Sequence, residues 1–361
     1  MLDAGERAYA YSKACAIIGK SFVGKRISAL SDLRSVNELD RLIFPELQRE
    51  LPGRELLSDL ENRIINRSVN QILSVVKSFS KAPELLIRQL RSYEYSDLKT
   101  CLHYIQAGKK KLPSLAGIGE YGTVKFSFFP DLRLMLQGTE YDFILKRIPE
   151  NFEREDFDLS ELEAEMDLHY YTALKISLYD LFSDDRIIAQ RILAEEISLR
   201  NCVWALRLRT YFKKSVDETK KHLMNITVPS HMEEIHGSVK VNANTVSHTK
   251  QISLAHDAED SLGRHLDMKD DWQAWRWKKF LNPETPGELW TADPRYFQNA
   301  ASFYLYNLAL HNFHKMPFAV SAIFCFIKLK QFEEDILISI LEGLGLGMHC
   351  ADVFELLEVP L

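Results

Sequence analysis

A helical apolar period runs through this chain from one end to the other, and it limits the possible folds more than any other feature of the sequence. Between positions 56 and 79, Leu57, Leu60, Ile64, Ile65, Val69, Ile72, Leu73 and Val76 recur at three- and four-residue steps, the spacing that lines one face of an α-helix. The same period returns in Leu85 to Ile105, Leu162 to Phe182, Ile187 to Leu208, Tyr296 to His311 and Phe318 to Leu341, with few glycines or prolines inside any of them. A chain patterned in this way folds as an all-α protein with little or no β. Thr123 to Phe129 (TVKFSFF), alternating between Gly122 and Pro130, predicts one small hairpin or edge strand. The opening run AYAYSKACAIIGKSFVGKR reads as a single basic-faced helix.

Turn-forming residues interrupt the pattern at Leu51-Pro52-Gly53, in segment 108–122, at Pro149 and in segment 283–294. The largest interruption is of another kind. From Met224 to Asp271 there is no aromatic residue, although 11% of the chain is Phe, Trp or Tyr, and polar residues dominate; this stretch reads as a solvated insertion. Directly after it come Trp272, Trp275 and Trp277 in DDWQAWRWKKF, which predicts a helix pinned to the core by its indoles.

Composition removes several functional classes. With 361 residues, 46% of them hydrophobic, the chain can bury a sizeable core. Its formal charge of −6 has the wrong sign for a general nucleic-acid binder. The five cysteines, at 15, 101, 202, 325 and 350, form no CxxC pair and stand among apolar neighbours, as reduced, buried thiols of a cytosolic protein would. The longest apolar run, Phe318 to Phe326, meets Lys328 and Lys330 after about nine residues, too short to cross a bilayer. Asp3 and Glu6 stand where a secretory signal needs positive charge, so no export signal is expected.

Motifs with catalytic potential dissolve on inspection. Gly19-Lys20-Ser21 imitates the end of a phosphate-binding loop, but the glycine required five residues earlier is Ala14. The run Gly343-Leu344-Gly345-Leu346-Gly347 closes a predicted helix and does not follow a strand, which suits helix-terminating glycines better than a dinucleotide fingerprint. His231 and His236 are five apart, not the four that would place two imidazoles on one helical face. The acidic groups Glu195-Glu196, Glu333-Glu334-Asp335 and Asp156-Phe157-Asp158 are expected near helix starts, where the helix dipole favours negative charge. Lys109-Lys110-Lys111 reads as solvated charge after a helix end. No catalytic, cofactor-binding or metal-ligating residue is assigned.

An internal repeat is the most informative pattern. YEYSDLKTCLHYIQAGK around Asp97, AEEISLRNCVWALRLRTYFK around Asn201 and KQFEEDILISILEGLGLG around Asp335 align so that Leu98, Cys202 and Ile336 coincide, as do Leu102, Leu206 and Ile340. The separations of 104 and 134 residues suggest three helical units, 1–112, 113–222 and 223–361, the last lengthened by the polar insertion at about 224–271. Asp97, Asn201 and Asp335 are expected near equivalent helix starts, as caps or first-turn charges, with partner contact as the other reading.

Taken in order, the opening helix, RQLRSYEYSDLKTCLHYIQAGK, GTEYDFIL, FDLSELEAEMDLHYYTAL, AEEISLRNCVWALRLRTYFK and KMPFAVSAIFCFIKLKQFEEDILISILEGLGLGM resemble the C subunit of archaeal and bacterial A/V-type ATPases, whose eukaryotic counterpart is the d subunit. The matching landmarks are Glu94 near Asp97, Asp167 before Tyr170-Tyr171, Glu196 near Asn201, and Lys330 near Glu333 and Asp335. The resemblance implies an all-helical funnel of three related units with pseudo-threefold symmetry. It also implies a non-catalytic role in the central stalk, linking shaft subunits of the D and F types to the membrane proteolipid ring, on the inner face of the membrane and without a cofactor. Glu94, Asp97, Glu196, Asn201, Glu333 and Asp335 are the repeat landmarks and the candidate partner contacts. The alternative is a free-standing helical-repeat scaffold for a soluble partner.

Overall fold

The computed structural model describes residues 4–46, 51–149, 157–229 and 251–357. Its α-helices are α1 (Ala4–Ile18), α2 (Val36–Ile43), α3 (Gly53–Val76), α4 (Glu84–Gln106), α5 (Leu132–Leu136), α6 (Leu159–Ser177), α7 (Ser183–Thr210), α8 (Val216–Lys221), α9 (His256–Leu262), α10 (Pro294–Lys315), α11 (Val320–Gly345) and α12 (Cys350–Leu357), and each of the six segments with the apolar period falls on one of them, α3, α4, α6, α7, α10 and α11. Among the described residues the strands are two, β1 (Thr227–Pro229) and β2 (Gln251–Ser253), paired antiparallel with Val228 opposite Ile252. The protein is all-α. The chain divides into two compact units, residues 1–166 with 309–361, and residues 167–308.

The first unit is organised around α11. Its opening turns, VSAIFCFI, are buried at every position, with Phe324 and Phe326 fully enclosed, as expected of a nearly all-apolar helical segment. Each such phenylalanine contributes about 1.5–3 kcal/mol relative to an exposed ring. Helix α3, with Leu60, Ile64, Val69, Ile72 and Val76 buried, packs along α11, and α1, α2, α4 and α12 complete the shell. The glycines at the end of α11 allow close approach. A Cβ on Gly343 would stand 2.3 Å from Val353 of α12, and one on Gly345 would stand 2.9 Å from Leu57 of α3. Gly347, at φ +81°, ends the helix with Met348 N–H on the Gly343 carbonyl and Gly347 N–H on that of Leu344, the αL termination that glycine supplies.

The second unit is built on α7, which packs against α8 and α9, and on a tryptophan-rich core. Trp272 and Trp275 meet edge to face at 5.0 Å, and Trp277 packs on Phe280 and Tyr304. Each buried indole N–H has an acceptor: Trp272 on the His265 carbonyl, Trp275 on that of Asp257, Trp277 on the Asp257 carboxylate and Trp290 on the Asn282 carbonyl. That satisfaction is what makes burial of these large side chains favourable.

Four local expectations need correction. The DDWQAWRW segment anchors the core, but it does so as a 3-10 turn (Lys269–Trp272) followed by further turns, not as an α-helix. Thr123 to Phe129 forms no strand, because its leading amides are taken by the Glu94 carboxylate and Phe126–Phe128 closes into a 3-10 turn. The opening helix stops at Ile18 and is followed by a turn and the 3-10 segment Gly24–Leu30, since the Phe22 amide is drawn to Glu333. The polar insertion is not uniformly solvated: Met224, Ile226, Val228, Leu254, Ala255, Ala258 and Leu262 at its two ends are buried, while residues 230–250, including His231 and His236, lie outside the described residues.

Candidate functional site

The aligned repeat positions sit inside the fold. Leu98, Cys202, Ile336, Leu102, Leu206 and Ile340 are all buried. The polar landmarks beside them are not helix starts, however: α4, α7 and α11 begin at Glu84, Ser183 and Val320, so Asp97, Asn201 and Asp335 lie well inside their helices. The same correction applies to Glu195-Glu196 and Glu333-Glu334. Helix-dipole stabilisation acts only in the first turn; here tertiary partners hold these groups in place. Asp158 does sit at a helix start, accepting the Ser160 amide.

On α4, Glu94 and Asp97 clamp the segment that follows the helix. Glu94 is buried and accepts the amides of Thr123 and Val124, the latter at 2.7 Å, and the Tyr141 hydroxyl at 2.7 Å. Asp97 accepts the Ala116 amide at 3.1 Å and the Gly117 amide at 3.5 Å. Burial pushes the Asp97 carboxyl up to about 6, against the pull of those two amides, and the neighbouring Glu94 charge pushes it further. Burial and the Glu94 charge likewise drive the Tyr141 hydroxyl far upward, so it stays a donor.

On α7, Asn201 does similar work without charge. It is 1% exposed, accepts the Met224 amide at 2.8 Å, and donates to the carbonyls of Met224 at 3.1 Å and Leu254 at 3.2 Å. It thereby ties the two ends of the insertion to one helix. Glu196, one turn earlier, accepts the Tyr171 hydroxyl at 2.8 Å, and Arg200 lies over the Tyr171 ring at 5.4 Å.

On α11 the bracket is ionic. Lys330 and Glu333, both almost fully buried, pair with each other. Glu333 also accepts the Phe22 amide at 2.8 Å and has Arg67 at 3.9 Å, while Lys330 donates to Ser21 at 3.2 Å. Burial opposes ionisation of Glu333, but Lys330, the Phe22 amide and Arg67 outweigh it and hold the carboxyl below its ordinary range. Next to it, Glu334 accepts the Tyr93 hydroxyl at 2.9 Å and is pushed up to about 7, chiefly by burial. Asp335 is exposed, and its charge acts on the neighbouring Glu334 and on Tyr93.

Five of the six landmarks are thus buried, each holding a distant part of the chain, and Asp335 alone faces outward. Sequence reasoning missed Ser21, the Phe22 amide and Tyr141 as partners; Lys330 three residues before Glu333 in an apolar run was the readable signal for a buried i,i+3 pair. The decoys resolve structurally: Lys20 is exposed in the turn after α1, and Ser21 is buried against Lys330. Among the described residues no group of three or more His, Cys, Asp or Glu side chains could hold a metal ion, and no helix is long and apolar enough to cross a membrane. All five cysteines are free thiols, four buried and Cys15 partly so.

Comparison with known proteins decides the family: the model of the ATP synthase (C/AC39) subunit family matches residues 30–353. The chain belongs to that family. It is also similar, at 24% identity over 325 residues covering 90% of this chain and 88% of the other, to an uncharacterized protein of Treponema pallidum (strain Nichols). As an ATP synthase C/AC39 subunit it is part of a V/A-type assembly. The family match takes in α2 to α11 entire and hence the α4 and α7 brackets and the Lys330–Glu333 pair of α11, while Ser21 and Phe22, which that pair holds, precede the matched residues.

Proposed function

We propose that this subunit is the non-catalytic adaptor of the central stalk in a prokaryotic A/V-type ATPase, joining shaft subunits of the D and F types to the membrane proteolipid ring. It would lie on the inner face of the membrane, attached through the complex. In this reading the three aligned helices belong to three related units, 1–112, 113–222 and 223–361, arranged as the funnel that the resemblance implies. The observation that carries the proposal is the family match across residues 30–353. The brackets add a physical reason: a torque adaptor must resist shear, and α4, α7 and α11 are each fastened to remote backbone by buried, hydrogen-bonded polar groups, which rigidify a core when fully satisfied.

Deleting the subunit tests the role. Inverted membrane vesicles from the deletion strain should lose ATP-driven ion uptake while the soluble head retains ATP hydrolysis. Ion uptake that persists without the subunit would overturn the proposal and return the chain to the scaffold reading.

A further inference from the structure

The end of α7 presents an exposed aromatic tip in a basic setting. Trp204 and Tyr211, two turns apart on one helical face, are 39% and 47% exposed, and Phe212, just past the helix end, is 64% exposed. Lys213 takes a left-handed φ of 52°, and both Phe212 and Lys213 are exposed at this turn. Between 204 and 221, Lys213, Lys220 and Lys221 are exposed and Arg207 and Lys214 half-buried, against Asp217 and Glu218, in a chain whose net charge is −6; Arg209 of the same stretch is taken up by the Ser261 and Arg264 carbonyls. Glu218, also exposed, accepts the Ser215 amide and hydroxyl in the capping box of α8. Arg295, also exposed, hydrogen-bonds the Tyr211 hydroxyl and pairs with Asp293.

We propose that this tip is a docking surface for an anionic lipid bilayer, with Phe212, Tyr211 and Trp204 seated at headgroup level and Lys213 and Lys214 against the lipid phosphates. The residue types favour a bilayer over an acidic protein. Trp, Tyr and Phe flanked by lysines form the side-chain set that prefers the water–hydrocarbon interface, where the rings sit among headgroups and the ammonium groups reach outward. Local charge of opposite sign to the whole chain then orients approach to an anionic leaflet. The inference rests on this surface alone and not on the rotary assignment.

The test is flotation of the purified full chain with vesicles of phosphatidylcholine alone or with about 30% phosphatidylserine, each lysine contributing about fivefold in partitioning. Four of the five tryptophans are buried, so the emission shift on vesicle addition reports on Trp204. Flotation only with phosphatidylserine, a blue shift lost in Trp204→Phe, and a more than tenfold loss in Lys213→Glu/Lys214→Glu with unchanged circular dichroism would support the proposal. Equal flotation with both vesicles, or full binding by Phe212→Ser and by the double lysine variant, would overturn it. So would loss, in the same variants, of a stoichiometric acidic protein partner in place of lipid. None of these outcomes bears on membership of the assembly.

Discussion

The α7 and α11 brackets perform one mechanical task with different chemistry. On α7, Asn201 holds the Met224 and Leu254 backbone with neutral amide hydrogen bonds. On α11, the Lys330–Glu333 pair holds the Ser21–Phe22 turn through charge. A neutral bracket costs little to bury and does not respond to pH. A charged one is strong only while both partners are present, because either alone is an uncompensated charge in the core. The α4 bracket lies between these extremes: Asp97 receives backbone amides as Asn201 does, but through a titratable group.

Breaking the ionic bracket should have the largest effect. Glu333→Gln leaves Lys330 buried without its counter-charge and should cost about 3–5 kcal/mol in denaturant unfolding, whereas Lys330→Met/Glu333→Leu should recover most of that loss. Equal losses in the single and double variants would remove the distinction between the brackets. Asn201→Ala should come next, on the order of 2 kcal/mol, since the Met224 amide and two carbonyls lose their partner, and the loss should be the same at pH 5 and pH 8.

Titration sharpens the contrast. The folded-state pKa of Asp97 lies at about 6, above the ordinary carboxylate value. The folded state therefore binds the proton more tightly, and the stabilisation associated with that proton is complete below pH about 4 and is lost as pH rises through about 6. Glu334, pushed up to about 7, adds the same sign over a slightly higher window. Asp97→Asn should flatten the stability profile between pH about 4 and 6, and Glu334→Gln should flatten it up to about 7, read as melting temperature against pH. A steeper profile in either variant would reverse the assigned sign. The smallest effect belongs to Asp335→Ala, within about 0.5 kcal/mol as for other exposed positions; a loss of assembly with unchanged stability would make Asp335 a partner contact.

Apolar periodicity revealed the helices and the six aligned core positions because burial of one face leaves a regular trace in sequence. It did not reveal where the helices begin. Pro83, Phe182 and Ala319 precede α4, α7 and α11 without a side-chain cap, so Asp97, Asn201 and Asp335 looked like starts when they lie mid-helix. The brackets were half readable: the polar residue interrupts an apolar stripe, but its partner is a backbone amide up to hundreds of residues away, which no local spacing encodes. For the same reason TVKFSFF resembled a strand. Its pattern alternates, but Glu94 takes the amides a neighbouring strand would have needed.

The central claim is tested most directly by affinity purification of the tagged chain from gently solubilised native membranes, with mass spectrometric identification of what survives a salt wash. Recovery of proteolipid ring and shaft subunits in stoichiometric amounts is the predicted result. Recovery of an intact rotary complex through another subunit with this chain absent from it would contradict the account.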